Sequence, residues 1–254
     1  NKFNSCSNEY NDFIINYFLE KEDFSQLFEI GVNQENWGLA AKGAMHSLKS
    51  LIKRGEYHLG RSYLDRFPKL IIDKFPAFKL FIIWMDLYAS GHYFAEKQTS
   101  DVLEFISNLE NKDSKTRLKH GIFSDEHYQL IKKFSDLTKF QLELLKNGSI
   151  NDDHLINSVL TSAAEGQDFS QWSWNGIGVN AFMKGDMTLA EENLQKAIFK
   201  SQDHQDGYCI LSTLAVLGPC LLFLGKPSEA LSLCESVHDW CVKHGYDVSG
   251  HYSI

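Results

Sequence analysis

Apolar residues along this chain recur at three- and four-residue spacing almost throughout, the period of helices that each bury one face. Asp125 to Lys146 is typical: Tyr128, Ile131, Phe134, Leu137, Phe140 and Leu144 form one stripe, with Ser124 and Asp125 placed to cap its start. The two-residue alternation of a half-buried strand is nearly absent, and proline occurs four times in 254 residues. The pattern predicts an all-α chain of about twelve helices. Their expected spans are 8–19, 22–31, 35–54, 57–67, 76–90, 93–110, 125–147, 151–166, 170–184, 187–202, 207–224 and 227–244. Asn111 to Phe123 (NKDSKTRLKHGIF) is polar and charged and is expected to be a loop. It separates halves 1–110 and 125–254 of what is otherwise read as a single domain, 1–254.

An internal repeat refines this picture. When WNGIGVNAFMKGDMTLAEENLQKA is set above TLAVLGPCLLFLGKPSEALSLCESV, Gly178, Gly185 and Ala190 fall on Gly218, Gly225 and Ala230, each pair forty residues apart. Those spacings suit a helix hairpin. The first glycine lies where the second helix crosses closely, the second ends the first helix at positive φ, and the alanine opens the second helix at the nearest approach.

These units resemble the tetratricopeptide repeat. Trp174, Ile177, Gly178, Ala181, Gly185, Ala190, Leu194 and Ala197 fall on consensus-type positions in the first, as do Leu217, Gly218, Leu221, Gly225, Ala230 and Val237 in the second. Cys234 replaces the usual large aromatic, and the pitch of forty exceeds the usual thirty-four. Weaker echoes stand at Gly55, Gly91 and Gly148. The resemblance implies a tetratricopeptide-like α-solenoid, a right-handed superhelix of antiparallel helix pairs.

The N-terminal half is similar to the helical-repeat region of the MalT-type, ATP-dependent regulators of the LuxR family. The residues that carry the likeness are Leu64, Phe67-Pro68, Phe75-Pro76, Leu80, Trp84 and Gly91, a paired-proline segment followed by an apolar helix with tryptophan and a closing glycine. In such regulators the region receives an inducer and lies between an ATPase switch and a helix-turn-helix module. The sequence contains neither G-x-x-x-x-G-K-[ST] nor a basic terminal helix-turn-helix, and it begins at Asn1. The resemblance therefore implies a fragment of a longer regulator that neither hydrolyses ATP nor contacts DNA itself.

Composition narrows the partners. With 25 basic against 33 acidic side chains, the formal charge is −8, and no basic stripe is present to displace counterions from a duplex. Nucleic acid is not expected as a direct ligand. Five cysteines, an odd number, and no signal peptide point to reduced thiols in a cytoplasm. Tyr208 to Gly225 runs eighteen residues without a charge, the lower edge of a membrane span. It is read instead as a helix buried on most sides, because Ser212, Thr213, Gly218 and Pro219 interrupt it.

Several motifs carry candidate chemistry. Gly176-x-Gly178-x-x-Ala181 matches a dinucleotide fingerprint, but the preceding AEGQDFSQWSW is polar and not strand-like. Helix packing is the better reading, and no cofactor is expected. Gly225-Lys226-Pro227-Ser228 resembles the end of a phosphate loop, but Cys220 stands where that loop needs a glycine, so Pro227 is read as a first-turn helix proline. Cys234, His238 and Cys241 lie within about 60° on a helix and could ligate zinc, with His244 a strained fourth. The alternative, that both cysteines are core residues, is favoured. Asp86, Asp186, Asp206 and the ten histidines are gathered by no catalytic motif, so an enzyme is not expected.

What remains is the inner face of the superhelix. By phase from the glycines, Phe78, Phe81, Met85 and Tyr88 in one unit and Trp172, Asn175, Val179 and Phe182 in another face inward. Aromatic platforms with an amide suit a sugar or peptide, and the same spacing also suits core between repeats. The functional expectation is a sensor or interaction domain of a bacterial regulator, binding a small-molecule inducer or a protein or peptide partner, with self-association open to it. The alternative is a free-standing repeat scaffold for a peptide or partner protein.

Overall fold

The computed structural model describes residues 16–18, 20–21, 23–89, 95–120, 122, 124–166 and 169–246, with the side chains of 88, 89, 95–98, 118 and 127 left out. The chain is all-helical. From Phe24 onward the described residues form α1 (Phe24–Asn33), α2 (Trp37–Lys53), α3 (Tyr57–Leu64), α4 (Lys69–Lys74), α5 (Pro76–Ala89) and α6 (Ala95–Asn108). Next come α7 (Ser114–Lys119), α8 (Asp125–Asn147), α9 (Asp153–Ala164), α10 (Ser170–Met183), α11 (Met187–Asp203), α12 (Gly207–Phe223) and α13 (Pro227–Lys243). The expected helix over 8–19 and the echo at Gly91 fall mostly or wholly outside the described residues.

One turn recurs and sets the repeat. Glu35, Gly55, Gly185, Gln205, Gly225 and Gly245 all have positive φ, from 52° to 83°. In each turn the next residue's N–H reaches back to a carbonyl in the last helical turn: Asn36 to Gly31, Glu56 to Leu51, Asp186 to Ala181, Asp206 to Ser201, Lys226 to Leu221 and Tyr246 to Cys241, all at 2.8–3.0 Å. Asn36, Asp186 and Asp206 then cap the following helix with their side chains. A seventeen-residue helix plus three turn residues makes a unit of twenty, so the forty-residue pitch is two such units.

The hairpins close to different degrees. A Cβ on Gly178 would stand 2.6 Å from Leu194 Cγ and 3.1 Å from its backbone nitrogen, so this glycine does sit at a close crossing. Gly218, expected to play the same role, has nothing within 4 Å of its Cβ position, because α13 does not press down on it. The tightest crossing is one the repeat pattern missed: a Cβ on Gly31 would lie 2.3 Å from the nitrogen of Ala40. α1 and α2 thus form another copy of the hairpin, hidden in sequence because Glu35 stands where the other copies have a turn glycine.

Two expectations about the middle of the chain need correction. Residues 111–123 are not simply a loop, since they contain α7. Asp113 accepts from Thr116 N at 2.7 Å to start it, and Arg117 docks it. The Arg117 guanidinium bonds the carbonyls of Leu109 and Glu110 and the carboxylate of Asp125, and lies 4.4 Å from the Tyr128 ring centroid. The spacer between Pro68 and Pro76 is likewise a short helix, α4, ended at Phe75, whose extended backbone is what a following proline imposes.

Neighbouring helices pack in chain order, and a second set of contacts links alternate ones. α2 touches α5, α5 touches α8, α8 touches α10, α10 touches α12, and α12 returns to α2. These five helices enclose a core that includes the fully buried Trp84, Phe140 and Trp172. A smaller apolar cluster under α10–α13 runs from Ala181 to Cys241. The uncharged segment 208–225 is α12, buried through Cys209, Ile210, Thr213, Leu217, Cys220 and Leu221. Among the described residues no helix is long and apolar enough to cross a membrane.

The turn geometry yields a stability test. Glu35→Gly relieves a left-handed backbone on a side chain and should stabilise the protein by about 1 kcal/mol in urea unfolding. Gly31→Ala forces the α1–α2 backbones apart and should cost about 1–3 kcal/mol in the same measurement.

Candidate functional site

The interior enclosed by the five helices is filled by the protein's own rings. Trp84 on α5 meets Trp172 on α10 edge-to-face at 5.3 Å, and also Phe134 on α8 at 5.3 Å. Phe134 stacks on Phe169 at 4.5 Å and meets Phe81 at 5.4 Å. Trp172 continues to Tyr208 on α12 at 5.8 Å, and Tyr208 meets Tyr57 of α3 edge-to-face at 5.1 Å.

This is where most of the residues expected to face a ligand are found. Phe78, Phe81, Met85, Trp172 and Asn175 are all buried, none more than 4% exposed, and they offer no open surface beyond the wall that Phe78 gives to an apolar cavity. The Asn175 amide donates to Thr213 Oγ1 at 2.9 Å, tying α10 to α12. Val179 and Phe182 are half-buried and pack against the smaller apolar cluster. The side chain of Tyr88 lies outside the described residues. The expectation treated these positions as a lining. Phe81 meets Phe134 of α8, Met85 lies against Gly60 of α3, and Trp172 is covered by Trp84 and Tyr208, so these positions are packing.

The polar residues of α10 act as clamps. Asn180 Nδ2 donates to the carbonyl of Ile150 at 3.3 Å while its Oδ1 accepts from the same residue's N–H at 2.8 Å. Asp206, only 1% exposed, accepts from Trp172 Nε1 and Gln171 Nε2 at 2.9 Å through one oxygen, and from Cys209 N at 2.9 Å through the other. Burial pushes its carboxyl above the ordinary range, against those three donors and the nearby Lys53 ammonium, which pull it down.

The open space lies beside this core, at the seam where α2 meets α12. A cleft of about 630 Å³ is lined by the last turns of α2, by the turns at 204–205 and 244–246, and by Tyr208 and Leu211 of α12. Lys53 Nζ donates across the seam to the carbonyl of His204 at 2.8 Å. Arg54 pairs with Glu56 at 3.1 Å through Nε and Nη2. Lys49, His46 and His244 complete the basic lining. An apolar cavity of about 370 Å³ adjoins it, lined by Met45, Phe75, Phe78 and Ile131 and sharing His46 with the cleft. Both volumes fall in the range of small-molecule sites. Sequence reasoning missed the cleft. Its one local signal was His46, Lys49 and Lys53 at three- and four-residue spacing on a single helix face.

The zinc candidates are not brought together. Cys241 is buried, Cys234 is half-buried and His238 is exposed, while His244 Nδ1 lies 2.8 Å from the carbonyl of Trp240. Among the described residues no group of three or more His, Cys, Asp or Glu side chains is placed to hold a metal ion. Asp186 caps α11, Asp206 caps α12, and Asp86 faces Arg61 at 3.6 Å, where burial raises its carboxyl. No protein family, curated protein or solved structure matches this chain.

Asp206 provides the test of this arrangement. Asp206→Asn sets an amide N–H₂ against the Trp172 and Gln171 donors and should destabilise by about 1–3 kcal/mol. Because the folded carboxyl is raised, its contribution is present at acid pH and is lost as pH rises through its titration. The stability advantage of the wild type over the variant should therefore narrow with rising pH, read from urea unfolding of both proteins across a pH series.

Proposed function

We propose that the chain is a ligand-sensing domain built from helical repeats, that it is not an enzyme, and that the seam cleft is its binding site. The observation that carries this reading is the position of the cleft. Its walls come from α2 near one end of the fold and from α12 and the end of α13 near the other, and they are joined by the Lys53–His204 bond. A ligand touching both walls binds the closed arrangement better than any arrangement with the seam parted. That differential affinity is what a switch requires. Carrying a population from mostly open to mostly closed takes several kcal/mol of preference.

In the regulator form of this proposal, seam closure in the cytoplasm is relayed to an ATPase switch and a helix-turn-helix module encoded outside this sequence. The support is the paired-proline segment, with Trp84 and Leu80 fully buried. The runner-up is a free-standing scaffold for a protein or peptide, which the exposed Phe199, Leu222, Phe223, Leu231 and Val242 on α11–α13 favour.

Two measurements decide between them. For the regulator form, the genomic sequence on either side should encode a phosphate loop upstream and a helix-turn-helix downstream, and absence of both sinks it. For sensing, a ligand found by thermal shift should slow amide exchange at residues 49–56 and at 204–211 together. Protection confined to one wall means the cleft does not act across the seam.

A further inference from the structure

We propose that the seam cleft takes a small molecule carrying a phosphate or pyrophosphate group. This deepens the reading of the cleft as the ligand site and rests on it. The chain as a whole carries more acidic than basic side chains, 33 against 25. The cleft gathers Lys49, Lys53, Arg54, His46, His204 and His244, with Glu56 the one carboxylate among its lining residues. Glu56 is engaged by the Nε and Nη2 edge of Arg54, so the Glu56 pair does not use the Nη1 group of the guanidinium.

The lining is rich in N–H donors, and Ser50, Tyr208 and Tyr246 add hydroxyls that can also donate, which suits a phosphate because it offers only acceptors. Helix C-termini converge on the same space and oppose an anion. Their partial charges are about half a unit each and fade within a turn. The last carbonyls of α2 are also bonded by the N–H groups of Arg54, Gly55 and Glu56. Lys49, Lys53 and Arg54 set three full positive charges against the one negative charge of Glu56, and the low-dielectric walls behind them strengthen that excess over the partial charges of the helix ends. The 630 Å³ volume exceeds what a bare phosphate fills, so the group is carried by an organic body that extends along Tyr208 and Leu211.

The test uses this 254-residue chain with sodium pyrophosphate as the probe, titrated by calorimetry at ionic strength held constant with chloride. Saturable one-site binding is expected. Lys49→Ala with Arg54→Ala should weaken it about tenfold or more. Lys115→Ala with Lys184→Ala, which removes the same charge from exposed positions outside the cleft, should leave it unchanged. In the unaltered protein, pyrophosphate should also protect Lys49 but not Lys115 from amine acetylation, a readout independent of how the variants fold.

Absence of saturable binding, equal weakening in the two double variants, or equal acetylation of Lys49 with and without the probe overturns the proposal. Neutral saccharides and peptides form a second arm. If one of them binds in the cleft while pyrophosphate does not, the phosphate assignment fails and the sensing reading stands. If pyrophosphate binds with Lys49 protected but amide exchange at 204–211 is unchanged, the phosphate assignment stands and the sensing reading falls.

Discussion

Burying an indole N–H costs free energy unless an acceptor meets it, and in this fold the acceptor for Trp172 is the carboxylate of Asp206. The same carboxylate takes the Gln171 amide and caps α12 through Cys209 N, so one buried group fixes α10 against the start of α12. Two residues further on, Tyr208 is thereby held between Trp172 and Tyr57. A Cβ on Gly55 would lie only 2.7 Å from the Tyr208 ring, which is how closely the turn after α2 approaches. Without that buried carboxylate the Trp172 and Cys209 N–H groups would both be orphaned, leaving the Lys53–His204 bond and the Tyr57–Tyr208 contact to hold α12 to the start of the fold.

Closure changes what a helical repeat can offer a ligand. An open solenoid presents the inner faces of its helices as a continuous surface. Here the inner faces of α5, α8, α10 and α12 meet one another through rings, each pair contributing about 0.5–1.5 kcal/mol beyond its burial. A cleft remains where α2 meets the turns that close against it, and its lining is cationic and imidazole donors rather than aromatic platforms.

The elements were legible where a local rule was sufficient. The 3.6-residue stripe placed α8 over Asp125–Asn147, and Gly178, Gly185 and Ala190 marked a hairpin that folds as their spacing implies. Where a local rule had a substitute, the pattern misled. Glu35 and Gln205 adopt the left-handed turn without glycine, held by the Asn36–Gly31 and Asp206–Ser201 bonds, so two of the six copies of the turn were invisible. Gly218 matched the repeat in sequence but faces open space, because how tightly two helices cross depends on every side chain between them. The polar stretch 111–123 holds a helix because Arg117 finds partners just after α6 and on α8 that lie outside its own segment.

By itself the sequence determined the helical class, the forty-residue repeat in its C-terminal part, and which faces are apolar, since these follow from periodicity and from local preferences at caps and turns. It could not determine whether an apolar inward face is core or binding surface, because both require the same residues at the same spacing. That choice depends on whether another helix arrives to cover it. The tertiary structure decided it: α8 covers Phe81, α3 covers Met85 and α12 covers Trp172, while the return of α12 to α2 brings Lys49, Arg54, His204 and His244, distant in sequence, to the edge of one cleft.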